Sequence, residues 1–195
     1  MLTSFRVRLF LAASATAVVV AIVLVIVTGT SDPAASPGDA ISRDPGAGDR
    51  TAAECYRPGV DTTWQWQIQG SRNTSYDVTL YDIDLFDTTA ETIAALQVRG
   101  TRVVCYFPAG SDEDWRSDHD AFPAAAIGET LQGFDGECWL DIRRPGVLTV
   151  LQGRLDLAVT KGCEGVEPDN VDGHDNVTGF ALSAADLLVF NQSLA

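Results

Sequence analysis

The chain has 195 residues, of which 46% are hydrophobic, enough for one ordinary domain with an extra segment but not for two full domains. Thirteen basic residues against 27 acidic ones leave a formal net charge of −14, which argues against nucleic acid or an anionic membrane surface as the principal partner. A neutral or cationic ligand suits that charge better. Cys55, Cys105, Cys138 and Cys163 form an even set without Cys-x-x-Cys spacing, so a thiolate zinc site is not expected. In an exported domain one or two disulfides are expected, with all three full pairings open, and Cys105 also suits a buried small hydrophobe.

In chain order, Leu9 to Gly29 carries no charge and follows Arg6 and Arg8. About 20 apolar residues span a bilayer, so residues 1–30 are read as a transmembrane signal anchor or a signal peptide. With the arginines retained inside, the rest of the chain is extracytoplasmic: held at the cell membrane, or secreted if the signal is cleaved. Residues 31–54, interrupted by Pro33, Pro37 and Pro45 and lacking aromatics, read as a disordered linker. The folded domain is expected over 55–195.

There, short β-like runs alternate with helical ones. Strands are predicted at 63–68, 78–83, 102–107, 139–142 and 165–167. Helices are predicted at 89–99, ending at Gly100; at 147–161, ending at Gly162; and at 183–194, where Ser183 and Asp186 have approximate capping-box spacing. This alternation predicts an α/β fold with a parallel sheet, in which the loops after the strands bind ligands.

Acids gather at those strand ends. Asp82, Asp84 and Asp87 follow the second run, Ser111 to Asp114 the third, Asp141 and Arg143 end the fourth, and Glu167, Asp169, Asn170 and Asp172 surround the end of the fifth. Pro168 is expected to stop the ladder of the fifth strand. Such acids either hold substrate or cap neighbouring backbone and arginines. Trp64, Trp66, Tyr106 and Trp115 offer faces for stacking on sugars, Trp115 most of all because its surroundings are charged, while aromatics in strands serve more often as core. A serine triad has little support: Ser111 lacks a Gly-x-Ser-x-Gly frame, and His119 and His174 are the only histidines. The acidic segment 169–175 matches a calcium loop poorly, with Val171 and Gly173 where oxygen ligands belong.

The motifs Trp64-Gln65-Trp66-Gln67, Tyr81-Asp82-Ile83-Asp84-Leu85-Phe86-Asp87, Cys105-Tyr106-Phe107-Pro108-Ala109-Gly110, Trp139-Leu140-Asp141-Ile142-Arg143, Arg154-Leu155-Asp156 and Val166-Glu167-Pro168-Asp169-Asn170-Val171-Asp172-Gly173 together resemble glycoside hydrolase family 114. This is the endo-α-1,4-polygalactosaminidase family, built on a (β/α)8 TIM barrel. The resemblance covers roughly residues 60–195. It implies hydrolysis of α-1,4-galactosaminyl links in a galactosamine-rich, cationic polysaccharide, through paired carboxylates and without a metal or organic cofactor.

By the same resemblance Asp169 is one catalytic carboxylate. Glu167, Asp82, Asp84, Tyr106, Trp115, Asp141, Asn170 and Asp172 are candidate substrate contacts. The family's other carboxylate is a Glu on a later strand. A full barrel takes about 250 residues, so an incomplete barrel of about five β/α units is expected here, without strands six to eight. The alternative is a non-catalytic carbohydrate-binding or cell-surface module that keeps the acidic cleft. Two departures from the family pattern are Pro108, where serine is common, and His174, where an aromatic is common.

Overall fold

The structure is a computed structural model that describes residues 56–195. The expected signal anchor, the linker and Cys55 lie outside the described residues. Among those described, no helix is long and apolar enough to cross a membrane.

The elements in order are β1 (Trp64–Gln67), β2 (Leu80–Asp84), α1 (Ala90–Val98), β3 (Arg102–Pro108), β4 (Ser111–Glu113), β5 (Ile127–Thr130), β6 (Glu137–Leu140), α2 (Pro145–Lys161), β7 (Gly165–Asp169) and α3 (Ala184–Leu194). Local chemistry accounts for the helix ends. The Thr89 side chain accepts from the Thr92 N–H before α1, and Gly100 beyond it has φ 84°, a left-handed residue that glycine adopts freely. Gly162 closes α2 in the same way at φ 85°. Ser183 and Asp186 form a complete capping box at the start of α3.

β1, β2, β3 and β7 form one parallel sheet in the order β1-β2-β3-β7. An α/β fold with a parallel sheet results, consistent with part of a TIM-type barrel. The five predicted parallel strands become four among the described residues, because the segment around Trp139 is placed elsewhere. It belongs to β6, the middle strand of an antiparallel sheet ordered β4-β6-β5. All three of these strands lie in the connection between β3 and α2, and returns that short pair antiparallel. The small sheet is thus an insert at the carboxyl end of β3.

Two further expectations are corrected. Ser111, Asp112 and Glu113, read as a charged loop, form β4 and are buried. Pro168 does not end its strand: β7 continues to Asp169, with Pro168 opposite Phe107. β7 has only β3 beside it among the described strands, and a strand with one free side tolerates a missing N–H.

The two faces of the parallel sheet differ in chemistry, since successive side chains alternate. Tyr81, Ile83, Val103, Cys105 and Phe107 belong to the buried apolar core together with Ile93 and Leu96 of α1 and Val147, Leu151 and Ala158 of α2. Burying a side chain of this size is worth about 1.5–3 kcal/mol. Cys105 is both buried and cross-linked: it forms a disulfide with Cys163 across 58 residues. Cys138 is a free thiol.

Candidate active site

On the opposite face the register places Trp66 beside Asp82, Asp84 beside Tyr106, Tyr106 beside Glu167 and Pro108 beside Asp169. Strand alternation sends all of these side chains to one side. The continuation of β7 through Pro168 therefore keeps Glu167 and Asp169 on the same face, two residues apart.

Asp82, Glu167 and Asp169 form an acidic group held by neutral donors. The Trp66 indole N–H donates to Glu167 Oε2 at 3.3 Å, and the Tyr106 hydroxyl donates to Asp169 Oδ2 at 2.9 Å. Asp82 is only 8% exposed, and its buried Oδ1 meets no hydrogen-bond donor. Burial is the main influence on this carboxyl; contact with the Glu167 carboxyl and the charges of Glu167 and Asp169 push in the same direction, and together they raise its pKa to about 9. Burial and the charge of Asp169 likewise push the Tyr106 phenol above its ordinary range, so at neutral pH it remains a donor.

The end of β7 is fixed from two sides. The Ala109 and Gly110 N–H groups both donate to the Asp169 carbonyl, at 2.9 and 3.0 Å. A Cβ on Gly110 would lie 1.8 Å from the Asn170 carbonyl oxygen, so only glycine admits this approach. Asn170 turns the chain with φ 59°, a left-handed conformation that asparagine tolerates better than most residues. Its Nδ2 donates to Ser111 Oγ at 2.6 Å and to Glu137 Oε1 at 2.9 Å, while Ser111 Oγ donates to the same Glu137 oxygen at 2.5 Å. Glu137 is buried, and that burial raises its pKa against the opposing effect of Ser111. The insert thus braces the strand end that carries Asp169. Glu137 was not among the predicted site residues, because an isolated Glu in Gly-Glu-Cys gives no signal of its buried partner.

A second group of acids is matched to arginines. Asp84, fully buried, receives Arg116 through both guanidinium Nη atoms at 3.2 and 2.7 Å, and Arg116 Nε also binds Glu113. Arg154, 1% exposed, donates to Asp118 at 2.8 and 3.0 Å and to the Pro108 carbonyl at 2.5 Å. Asp141 lies just before α2, with its oxygens taken by Arg143 at 2.7 Å and Arg144 at 3.1 Å; the Arg143 hydrogen bond is the main cause of its lowered pKa. These carboxylates hold arginines, so their charges are compensated within the fold.

Of the predicted residues, then, Asp82, Tyr106, Glu167 and Asp169 come together, with Asn170 directly beyond. Asp84 and Asp141 are occupied by arginines. Trp115 is 56% exposed beside Arg116, and Asp172 is exposed in the turn after β7, where its carbonyl accepts from the Asn176 side chain at 3.2 Å. Trp64 and Trp66 are about half exposed, at 56% and 52%, instead of filling a core as strand aromatics usually do. His119 Nδ1 pairs with Asp112 Oδ2 at 2.7 Å, whereas the Ser111 hydroxyl is engaged by Glu137 and Asn170.

Residues 46–195 match the model of glycoside-hydrolase family GH114. Among solved structures, Ega3 of Aspergillus fumigatus, determined in complex with galactosamine, is 46% identical with a TM-score of 0.70; the match covers 71% of this chain and 56% of that one. The glycoside hydrolase domain of PelA from Pseudomonas aeruginosa aligns at 13% identity with a TM-score of 0.51, covering 68% of this chain and 51% of that one, a likeness of fold alone. No curated protein matches the chain. The present chain thus spans a little over half the length of the Ega3 structure, and the match of the family model over 150 contiguous residues, 46–195, shows that it belongs to glycoside-hydrolase family GH114.

Proposed function

We propose that this chain acts as a glycoside hydrolase of the polygalactosaminidase type, cleaving α-1,4-galactosaminyl links, with Asp169 as one member of its carboxylate pair. The observation that carries this reading is the acidic group on the polar sheet face: Asp169 ends β7, Glu167 stands two residues before it and Asp82 two residues before the carboxyl end of β2, with no arginine or lysine bonded to them. Barrel enzymes place their chemistry at that end. A deacetylated galactosamine polymer brings the positive charge that such a group lacks, and the −14 net charge draws it in. The galactosamine bound to Ega3, at 46% identity, supports the same substrate class.

Asp169 suits a role at the reacting bond because its carboxylate is oriented by a neutral phenol and its backbone is locked by two N–H donors. Asp82 and Glu167 stand on the same polar face beside it, with the Trp66 indole N–H bonded to Glu167. Their role is substrate binding. The charge-free run before the domain supports export to the cell surface or beyond it.

The test is to incubate the full chain with deacetylated α-1,4-galactosamine polymer and measure new reducing ends. Release that Asp169→Asn abolishes is the expected result. Binding without release by the unaltered chain would favour the second reading, a carbohydrate-binding module, which draws its support from the acidic face itself, built on four parallel strands among the described residues. Absence of binding would contradict both readings.

A further inference from the structure

We infer that the buried Asp82 carboxyl holds a proton in the free protein and surrenders it when the ammonium group of an amino sugar docks against it, so that amine recognition at this site is coupled to proton release. The inference rests on the polygalactosaminidase reading above and adds to it a way of telling amino from N-acetylamino sugars.

The geometry is that of a carboxyl group with too few donors. Asp82 is more than nine-tenths buried and its Oδ1 has no donor. An ionised carboxylate buried without a donor is costly, and the least costly solution in a poorly solvated site is to keep its proton. The Trp66 indole N–H donates to Glu167 Oε2 and so supplies no donor to Asp82. The charged groups acting on Asp82 are Glu167 and Asp169, both acids. Tyr106 faces the same group from β3 as a neutral phenol occupied by Asp169, and Arg116, the nearest cation along β2, is committed to Asp84 and Glu113.

An ammonium group reverses this balance. It offers three N–H donors and one positive charge, satisfies the orphan oxygen and makes an ionised Asp82 favourable. The Asp82 carboxyl then loses its proton to solvent, leaving a carboxylate hydrogen-bonded to the ammonium group. No bond to carbon forms or breaks. An N-acetylamino sugar carries no charge and offers a single N–H, so it leaves the proton in place. The site thereby prefers deacetylated sugar without any steric exclusion of the acetyl group.

The experiment is isothermal titration calorimetry of the full chain at pH 7 with an α-1,4-linked galactosamine oligosaccharide and with its fully N-acetylated counterpart. Buffers of different ionisation enthalpy report the protons exchanged. The expected result is about one proton released per amino oligosaccharide bound, affinity rising up to about tenfold per pH unit between pH 5 and 7, and neither effect for the acetylated sugar. Asp82→Asn, which mimics the protonated acid, is expected to abolish the release. Difference infrared spectroscopy of the unaltered protein reads the same event without a variant, as a protonated-carboxyl band lost on binding. Binding of the amino sugar with no proton released, or release persisting in Asp82→Asn, would overturn the coupling while leaving the substrate reading intact. Failure to bind either sugar would overturn both.

Discussion

Asp82 and Asp84 lie two residues apart on one strand and face the same way, but they occupy opposite electrostatic settings. Asp84 is gripped by both Nη atoms of Arg116, which also holds Glu113; Asp82 meets only Glu167, Asp169 and an indole already bound to Glu167. The same contrast separates Asp141 and Asp118, each bound to arginine, from the acids at the end of β7. An acid matched to arginine in the unliganded protein has its charge compensated and serves the fold. An acid left with other acids needs compensation from a ligand or a proton, and that unmet requirement marks the site.

The sharpest break of this contrast is expected from Asp169→Asn. Removing a reacting carboxylate should lower the hydrolysis rate by at least about 10³-fold, equivalent to about 4 kcal/mol, with thermal unfolding nearly unchanged. On the compensated side, Arg116→Met would strand Asp84 and Glu113 as buried, unpaired acids. A loss of about 3–5 kcal/mol in urea unfolding is expected, and a loss under 1 kcal/mol would show that these acids are not held as described.

Asp82→Asn should act in the opposite sense on stability. The folded protein keeps this proton up to pH about 9, whereas the ordinary value is 3.8, so between those values the folded state binds more protons than the unfolded state and stability falls as pH rises. The variant should therefore be more stable than the parent at pH 7, by up to about 4 kcal/mol, with the difference vanishing below pH about 4. Asp141 supplies a control of opposite slope: its lowered pKa gives stability that is present above pH 3.8 and lost as pH falls through its folded-state value. The smallest effect is expected from Trp66→Phe, which keeps the ring and removes the donor to Glu167. Affinity for galactosamine oligosaccharides should fall by no more than about fivefold, near 1 kcal/mol.

The regular parts of the fold were legible because their signals are local. Thr89, Gly100, Gly162 and the Ser183–Asp186 pair announce helix ends through backbone chemistry that depends on a few neighbours, and the apolar runs of β2 and β3 announce strands. The insert was not legible. Ser111-Asp112-Glu113 has the composition of a loop, and it becomes a buried strand because Arg116 and His119 just beyond it, and Glu137 and Asn170 from distant places in the chain, bond its side chains. The candidate site was legible in its residue types and its position at strand ends, since Asp82, Glu167 and Asp169 all stand out as acids after β-like runs. What the sequence withheld was the sorting among acids. Asp84 looks as functional as Asp82 until Arg116, 32 residues away, is seen to hold it.

That sorting is tested most directly by the titration of Asp82 itself, followed in the full chain through its side-chain carboxyl carbon by NMR and assigned with Asp82→Asn. A midpoint near pH 9, moving well below 7 when an amino oligosaccharide is bound, is the predicted result. A midpoint near 4 in the free protein, as for an ordinary solvated aspartate, would contradict the account of the uncompensated acids as the sugar-binding group.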